Sequence, residues 1–492
     1  MTAGIVSWGV YLPFWRLKRS DIGLSLGTPA GRGARRVASY DEDTTTMGVE
    51  ASRRALAALA GDRPEDLVFS TPVPAYLDKT NATAIHAALD LEEWAGAYDL
   101  IGSVRSGVAA LRTAAGLAVG RRAMAVTSDL RTGLAGGAEE RDSGDGAVAI
   151  VFGDSDVEAV AAEIVATGAA SGEFIDRWRT PGDSESKVWE ERFGQEVYLP
   201  LVQSAFDDAL KRAGLSADSL DHVIVSGLHV RAVAAAKSAL GVSADAIADD
   251  HVGSTGNLGA AQPGFLLADV LERATPGQLI ALVVLADGAD VIILRTTDDI
   301  GTAQAHRDAA GLAPVRSLIE AGRDDLPYTR FLTWRGEIRR EPPRRPDPER
   351  PGAPTMWRSA DWKERFEAST CEECGFRHLP PTRVCLKCQS VDQMRKERLA
   401  DLTGRIATFT IDHLAFSMSP PVVGAVVDFE GGGRYRCEMT DVDPQAVAIG
   451  GEVQMTFRRL YTAQGVHNYF WKAKPVEAAK PVEAAKPSEG AN

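Results

Sequence analysis

The chain has 492 residues, 45% of them hydrophobic, and a formal net charge of −14; that length exceeds what one core organises, so two or three domains are expected. The acidic balance argues against a nucleic-acid footprint spread over the whole chain. No apolar run reaches the ~18 residues that span a bilayer, and residues 1–16 carry no signal-like segment, so no membrane association and a cytoplasmic location are expected.

Gly4 to Pro13 reads as a buried strand leaving through proline, and Asp41-Glu42-Asp43-Thr44-Thr45-Thr46 supplies acids and Thr caps ahead of a helix over Gly48 to Leu59. A strand around Leu67 to Ser70 leads into Thr71-Pro72-Val73-Pro74-Ala75-Tyr76. Tyr98 to Ser103 reads as a short strand running into a buried, Ala-rich helix that begins near Val104. Backbone N–H groups and the dipole at such a helix start favour negative charge, which activates a thiol and holds an oxyanion. The residue there is Val104, flanked by Ser103 and Ser106; a serine nucleophile would need an adjacent base, and helix capping accounts for a Ser in that place.

Two apolar strands, Ala123 to Asp129 and Asp145 to Phe152, have an echo in Leu279 to Ala286 and Ala289 to Leu294, the pattern of a duplicated α/β unit. Between the copies, Trp178 to Tyr198 reads as charged and irregular and Val202 to Ala213 as an amphipathic helix. His222 to His229 reads as a strand that delivers His229 at its C-terminal end. Gly256-Asn257-Leu258-Gly259 follows as a turn in which Asn257 suits a left-handed backbone or a helix cap.

Prolines and alternating charge over residues 337–354 exclude a helix or central strand and make an extended tether. Beyond it, Cys371, Cys374, Cys385 and Cys388 form C-x2-C, ten residues, C-x2-C, the spacing of two knuckles on one tetrahedral ion with Zn–S of about 2.3 Å and no open position. Structural zinc is the expected cofactor, with an iron–sulfur or redox dithiol site as alternative; Cys437 stands apart as an ordinary strand residue. Gly404 to Ile411, Pro421 to Phe429, Arg434 to Thr440 and Glu452 to Arg459 are short strands with glycine turns, the pattern of a small barrel. The stretch from Lys474 repeats Lys-Pro-Val-Glu-Ala-Ala and cannot form a core.

These segments resemble known families. Gly9-Val10-Tyr11-Leu12-Pro13, Asp41 to Met47 and the Asp99 to Leu111 stretch resemble archaeal-type hydroxymethylglutaryl-CoA synthases, and the last also resembles ketoacyl synthase III, both of the thiolase superfamily. Lined up on Asp99, Gly107 and Ala110-Leu111, the family's catalytic cysteine falls on Val104. Aligned on Tyr76 and Lys79, its acid/base glutamate falls on Pro72. The resemblance makes His229 and Asn257 the thioester-binding pair, with Ser103 and Gly256 against the substrate. The ribbon and barrel resemble the DUF35 family of zinc ribbon plus OB-fold proteins.

The fold this implies is a duplicated, five-layered α/β thiolase fold followed by a rubredoxin-like zinc ribbon and an all-β OB-fold barrel. Expected boundaries are 1–155 and 156–333 for the two thiolase-like halves, 334–356 for the linker, 357–400 for a helix and the ribbon, 401–473 for the OB-fold and 474–492 for a disordered tail. The function implied is an acyl-CoA-binding protein without the nucleophilic Cys, acting with a partner thiolase in condensation or cleavage and intermediate transfer. The alternative is an autonomous acyltransferase using His229 and Asn257. A coenzyme A thioester is the expected substrate and a homodimer the expected state. An OB-fold also binds single-stranded nucleic acid, a third reading that the acidic chain and the attached synthase-like part oppose.

Overall fold

The computed structural model describes residues 2–29 and 31–476. A nine-stranded sheet runs in the order His222–Gly227, Leu279–Leu285, Gly288–Thr296, Ala162–Ser171, Ala3–Tyr11, Gly146–Asp154, Ala123–Asp129, Asp66–Thr71, Gly96–Ile101. Among the described residues its two halves join through two residue pairs, Gly4 with Glu163 and Ile5 with Ala162.

Each half repeats one scheme. In the first, the strands taken in chain order lie side by side as third, second, fourth, fifth, first. The second half keeps that arrangement but reduces its third strand to a single bridge between Val223 and Ile247.

Strands such as Leu279–Leu285 are buried along their whole length, which requires helices on both faces. Helices Arg105–Leu117 and Gln262–Leu271 form the shared middle layer, where Leu111 and Phe265 pack with Trp8 of one half and Leu282 of the other. Helices Thr44–Ala57 and Ala82–Leu89 cover one outer face. Glu191–Ala213 and Val230–Ala239 cover the other. The result is five layers, helix and sheet alternating.

Two helices exceed what the local sequence suggests. The first outer helix starts at Thr44, because Asp43 and Thr46 cap one another reciprocally. The helix read from Val202 starts at Glu191 and carries Pro200 inside it; its face of Tyr198, Val202, Ala205, Phe206 and Ala209 is buried at helical spacing.

Residues 339–352 carry no helix or strand and are mostly exposed, and the turn before them is anchored. Arg335 pairs with buried Asp145, and Arg340 donates to the Ser417 carbonyl at 2.8 Å. Helices Ala353–Arg358 and Ala360–Lys363 lead into a three-stranded ribbon of Glu367–Cys371, Arg377–His378 and Met394–Arg398.

The barrel sheet runs Arg434–Glu438, Val422–Phe429, Gly404–Asp412, Glu452–Ala463, Val466–Pro475. It closes where Thr440 N–H donates to the Ala473 carbonyl at 2.9 Å. The last strand corrects the expected tail boundary: Lys474 and Pro475 belong to the barrel, and Lys474 is buried, 3.9 Å from Glu50. Residues 477–492 of the expected tail lie outside the described residues.

The barrel docks on the first half through the acidic run. Lys472 pairs with Asp41 at 3.0 Å, Arg458 pairs with Glu42, and the Tyr469 hydroxyl donates to Asp43 at 2.8 Å. The hairpin beyond reaches further, with His467 N–H donating to the Tyr76 hydroxyl at 2.8 Å.

Candidate active site

Four connections at the C-terminal ends of strands converge. They contribute Pro72 and Val73 after Asp66–Thr71, Gly102 to Val104 after Gly96–Ile101, Leu228 after His222–Gly227, and Ala286-Asp287 after Leu279–Leu285. Ligands of α/β sheets sit at strand ends of this kind. A cavity of about 440 Å3 lies among them, covered by residues 176–183. That cover includes half of a small hairpin in which Arg177–Trp178 pairs with Lys187–Val188.

Val104 caps helix Arg105–Leu117 and lines the cavity with Ser103. The helix presses on the second half at Gly107, where a Cβ would come within 2.3 Å of the Ala260 carbonyl oxygen, so only glycine fits. Arg105 turns back to Asp290 at 2.9 Å and to the Asp287 carbonyl at 2.7 Å. Pro72 lines the same cavity, and its carbonyl accepts from Arg179 at 2.6 Å. The two positions where the resemblance places a thiol and a carboxyl therefore share one cavity wall.

His229 lies two residues past its strand, as the cap of helix Val230–Ala239. Nδ1 accepts from Ala232 N–H at 3.1 Å, and Nε2 lies 4.0 Å from Asp176 Oδ1. Asn257 is engaged by backbone at both ends of its amide, donating to the Gly227 carbonyl and accepting from Gly259 N–H, each at 2.9 Å. Gly256 does not line the cavity. It is buried at φ +75° against Ser143, whose carbonyl oxygen a Cβ would meet at 2.2 Å.

Three cavity residues carried no local sequence signal. Asp176 lies in the irregular cover, Tyr198 in the helix that continues from it, and Asp287 in a strand turn. Tyr198 donates to Asp176 Oδ2 at 3.1 Å and accepts from Asp287 N–H at 3.3 Å. Burial, and then the facing Asp176 carboxylate, push the Tyr198 phenol well above its ordinary value, and burial raises Asp287. Arg131, Arg177 and Arg179 bring positive charge to the wall; Glu139 bridges the first two.

In the ribbon, the ligand atoms of Cys371, Cys374, Cys385 and Cys388 lie within 4.8 Å of one another, with Cys371 to Cys388 at 3.6 Å and Cys374 to Cys385 at 3.5 Å. Sulfurs around a tetrahedral ion at about 2.3 Å stand roughly 3.8 Å apart, so the four thiols fit a metal ion. Cys437 lies in barrel strand Arg434–Glu438. Among the described residues no helix is long and apolar enough to cross a membrane.

The duplicated five-layered body with its site at the strand ends is a thiolase-like fold. Solved structures agree: MvaS in complex with 3-hydroxy-3-methylglutaryl coenzyme A matches with a TM-score of 0.57 at 21% identity, over 71% of this chain and 94% of that one. The 3-oxoacyl-(acyl carrier protein) synthase III FabH of Pseudomonas aeruginosa PAO1 matches with a TM-score of 0.55 at 21% identity, over 60% and 99%. In sequence, the hydroxymethylglutaryl-CoA synthase of Caldivirga maquilingensis is 30% identical over 319 residues, 61% of this chain and 89% of that protein. That of Methanothermobacter thermautotrophicus is 28% identical over 355 residues, 68% and 99%. Residues 397–458 match the family of the ChsH2 C-terminal OB-fold domain. The chain belongs to the hydroxymethylglutaryl-CoA synthase family and carries a C-terminal OB-fold domain in addition.

Proposed function

We propose that this protein binds an acyl-CoA in the strand-end cavity without forming a thiol-linked acyl-enzyme, and supports carbon–carbon bond formation or cleavage together with a partner thiolase whose cysteine carries the acyl group. The observation that carries this reading is Val104 at the helix start on the cavity wall, with Pro72 beside the same space. None of the five cysteines replaces the missing thiol: four form the ribbon cluster and Cys437 is in the barrel. Aliphatic and cyclic side chains neither attack a thioester nor move a proton.

The cavity suits a thioester in another way: Arg179 brings a guanidinium to its wall beside the Pro72 carbonyl, whereas Arg131 and Arg177 are held by Glu139. Transfer by His229 and Asn257 alone draws less support, since backbone groups occupy both ends of the Asn257 amide. Strand Gly96–Ile101 is an edge of the sheet and exposes Tyr98, a surface on which a second subunit would pair. Four thiolates in a closed set favour structural zinc, which would hold the two knuckles together and leave chemistry to the cavity.

The test is mass spectrometry of the intact protein with acetyl-CoA. The wild type stays unmodified, whereas Val104→Cys, a thiol placed at a helix N-terminus, gains one acetyl group. A wild-type chain that acylates itself, or that condenses two acyl thioesters unaided, overturns the reading; a thiolase that co-purifies from the native cell supports it.

A further inference from the structure

A cavity without its family's glutamate still contains a carboxylate, supplied from elsewhere. Asp176 enters from the segment that covers the space, on the second half of the fold, whereas Pro72 belongs to the first. Its side chain is 10% exposed, so it is shielded yet reachable from the cavity. One oxygen accepts from Tyr198 at 3.1 Å and the other faces His229 Nε2 at 4.0 Å.

Tyr198 is itself fixed, by Asp287 N–H at 3.3 Å and by the edge of Phe174, whose ring centre is 5.0 Å away. The adjacent Arg177 is taken up by Glu139, so the nearest guanidinium on the same segment already has a carboxylate partner. The arrangement holds a carboxylate in one orientation at the wall of a cavity that Val104 also lines.

Resting on the reading that an acyl-CoA occupies this cavity, we propose that Asp176, positioned by Tyr198, is the base that removes a proton from the α-carbon of the bound thioester. The Cα–H bond breaks, its proton passes to the Asp176 carboxylate, and its electron pair moves onto the thioester as an enolate. The start of helix Arg105–Leu117 lines the same cavity at Val104, and its dipole favours the negative charge of the enolate. Return of the proton restores the starting acyl-CoA, so the step needs neither a thiol nor a second substrate. It would prepare a carbon nucleophile for a partner's acyl group, or receive the enolate that carbon–carbon cleavage releases.

The experiment uses the full chain in deuterium oxide with acetyl-CoA and propionyl-CoA, following loss of the α-proton NMR signal while calorimetry measures binding. Wild type exchanges the α-protons faster than buffer. Asp176→Asn lowers that rate by roughly 100-fold or more, the usual worth of a general base, with acyl-CoA affinity changed less than about threefold on the tenfold-per-1.4 kcal/mol scale. Tyr198→Phe removes a donor to the carboxylate and moves the pH at which exchange reaches half its plateau upward, which a purely structural role would leave in place. His229, Tyr198 and Asp287 are titratable groups that face Asp176 in this profile.

Binding without exchange overturns the proposal and leaves the binding reading intact. Exchange that survives in Asp176→Asn, or that disappears only in Asp287→Asn, overturns the assignment. Failure of both acyl-CoAs to bind removes the reading beneath it.

Discussion

Arg458→Met removes the cation at the centre of the seam between barrel and body, and the cost follows from what stays behind. Arg458 is 1% exposed; it pairs with Glu42 of the body and Asp441 of the barrel and donates to the Tyr11 hydroxyl at 3.1 Å. Methionine keeps much of the packing volume but strands both carboxylates, whose protons burial already makes harder to lose. Breaking a buried pair by deleting one partner costs about 3–5 kcal/mol. At about 2–4 °C per kcal/mol for domains of this size class, that is roughly 6–20 °C in the melting temperature. The deficit grows with pH, because stranded carboxylates that stay protonated in the fold ionise freely once unfolded. Thermal unfolding at pH 5 and pH 8 measures it, and the triple variant Glu42→Gln, Asp441→Asn, Arg458→Met recovers most of the loss. A deficit under about 1 kcal/mol, or one equal at both pH values, refutes the claim that this network holds the barrel on.

Two further outcomes concern the C-terminal module. Glu364, at the end of helix Ala360–Lys363, has a buried carboxylate oxygen with no hydrogen-bond partner, and burial raises its pKa from 4.5 to about 7 against Lys363 and Lys79. A folded pKa above the unfolded one gives stability that is full below pH 4.5 and lost as pH rises through 7. Glu364→Gln therefore flattens the melting temperature across that window and stabilises the chain at pH 8 by on the order of 2–3 kcal/mol. Purified protein is expected to carry one zinc per chain by elemental analysis, and Cys385→Ser, which removes a buried thiol of the cluster, is expected to lose it together with a local unfolding step.

Much of this fold was legible because its elements announce themselves locally. Buried parallel strands are continuous apolar runs, cysteine spacing reports a tetrahedral site, and the prolines of residues 337–354 exclude regular structure. What escaped depends on tertiary context. Pro200 argues against a helix locally, yet the buried face from Tyr198 to Ala209 overrides it. The final strand lay hidden behind a repetitive tail, although Gln464 and Gly465, both at positive φ, make the two-residue hairpin turn that begins it. Asp176 and Tyr198 are 22 positions apart, and only the closure of the cover over the cavity brings them together.

Positions that match the family motif divide by the work they do. Asp99 accepts from Asn81 N–H at 2.6 Å and Ala82 N–H at 2.7 Å, fixing the start of helix Ala82–Leu89. Gly107 lets the middle-layer helix touch the Ala260 carbonyl, and Asn257 ties the strand before His229 to the Gly259 turn. Each of these has a duty to the backbone that holds whether or not a thiol is present. At the two places where the resemblance puts a cysteine and a glutamate, Val104 makes the helix start and Pro72 the loop after its strand. Asp176, held by Tyr198 at the wall of the cavity, is the group on which the proposed proton transfer is tested first, with Asp287 on the same wall as its control.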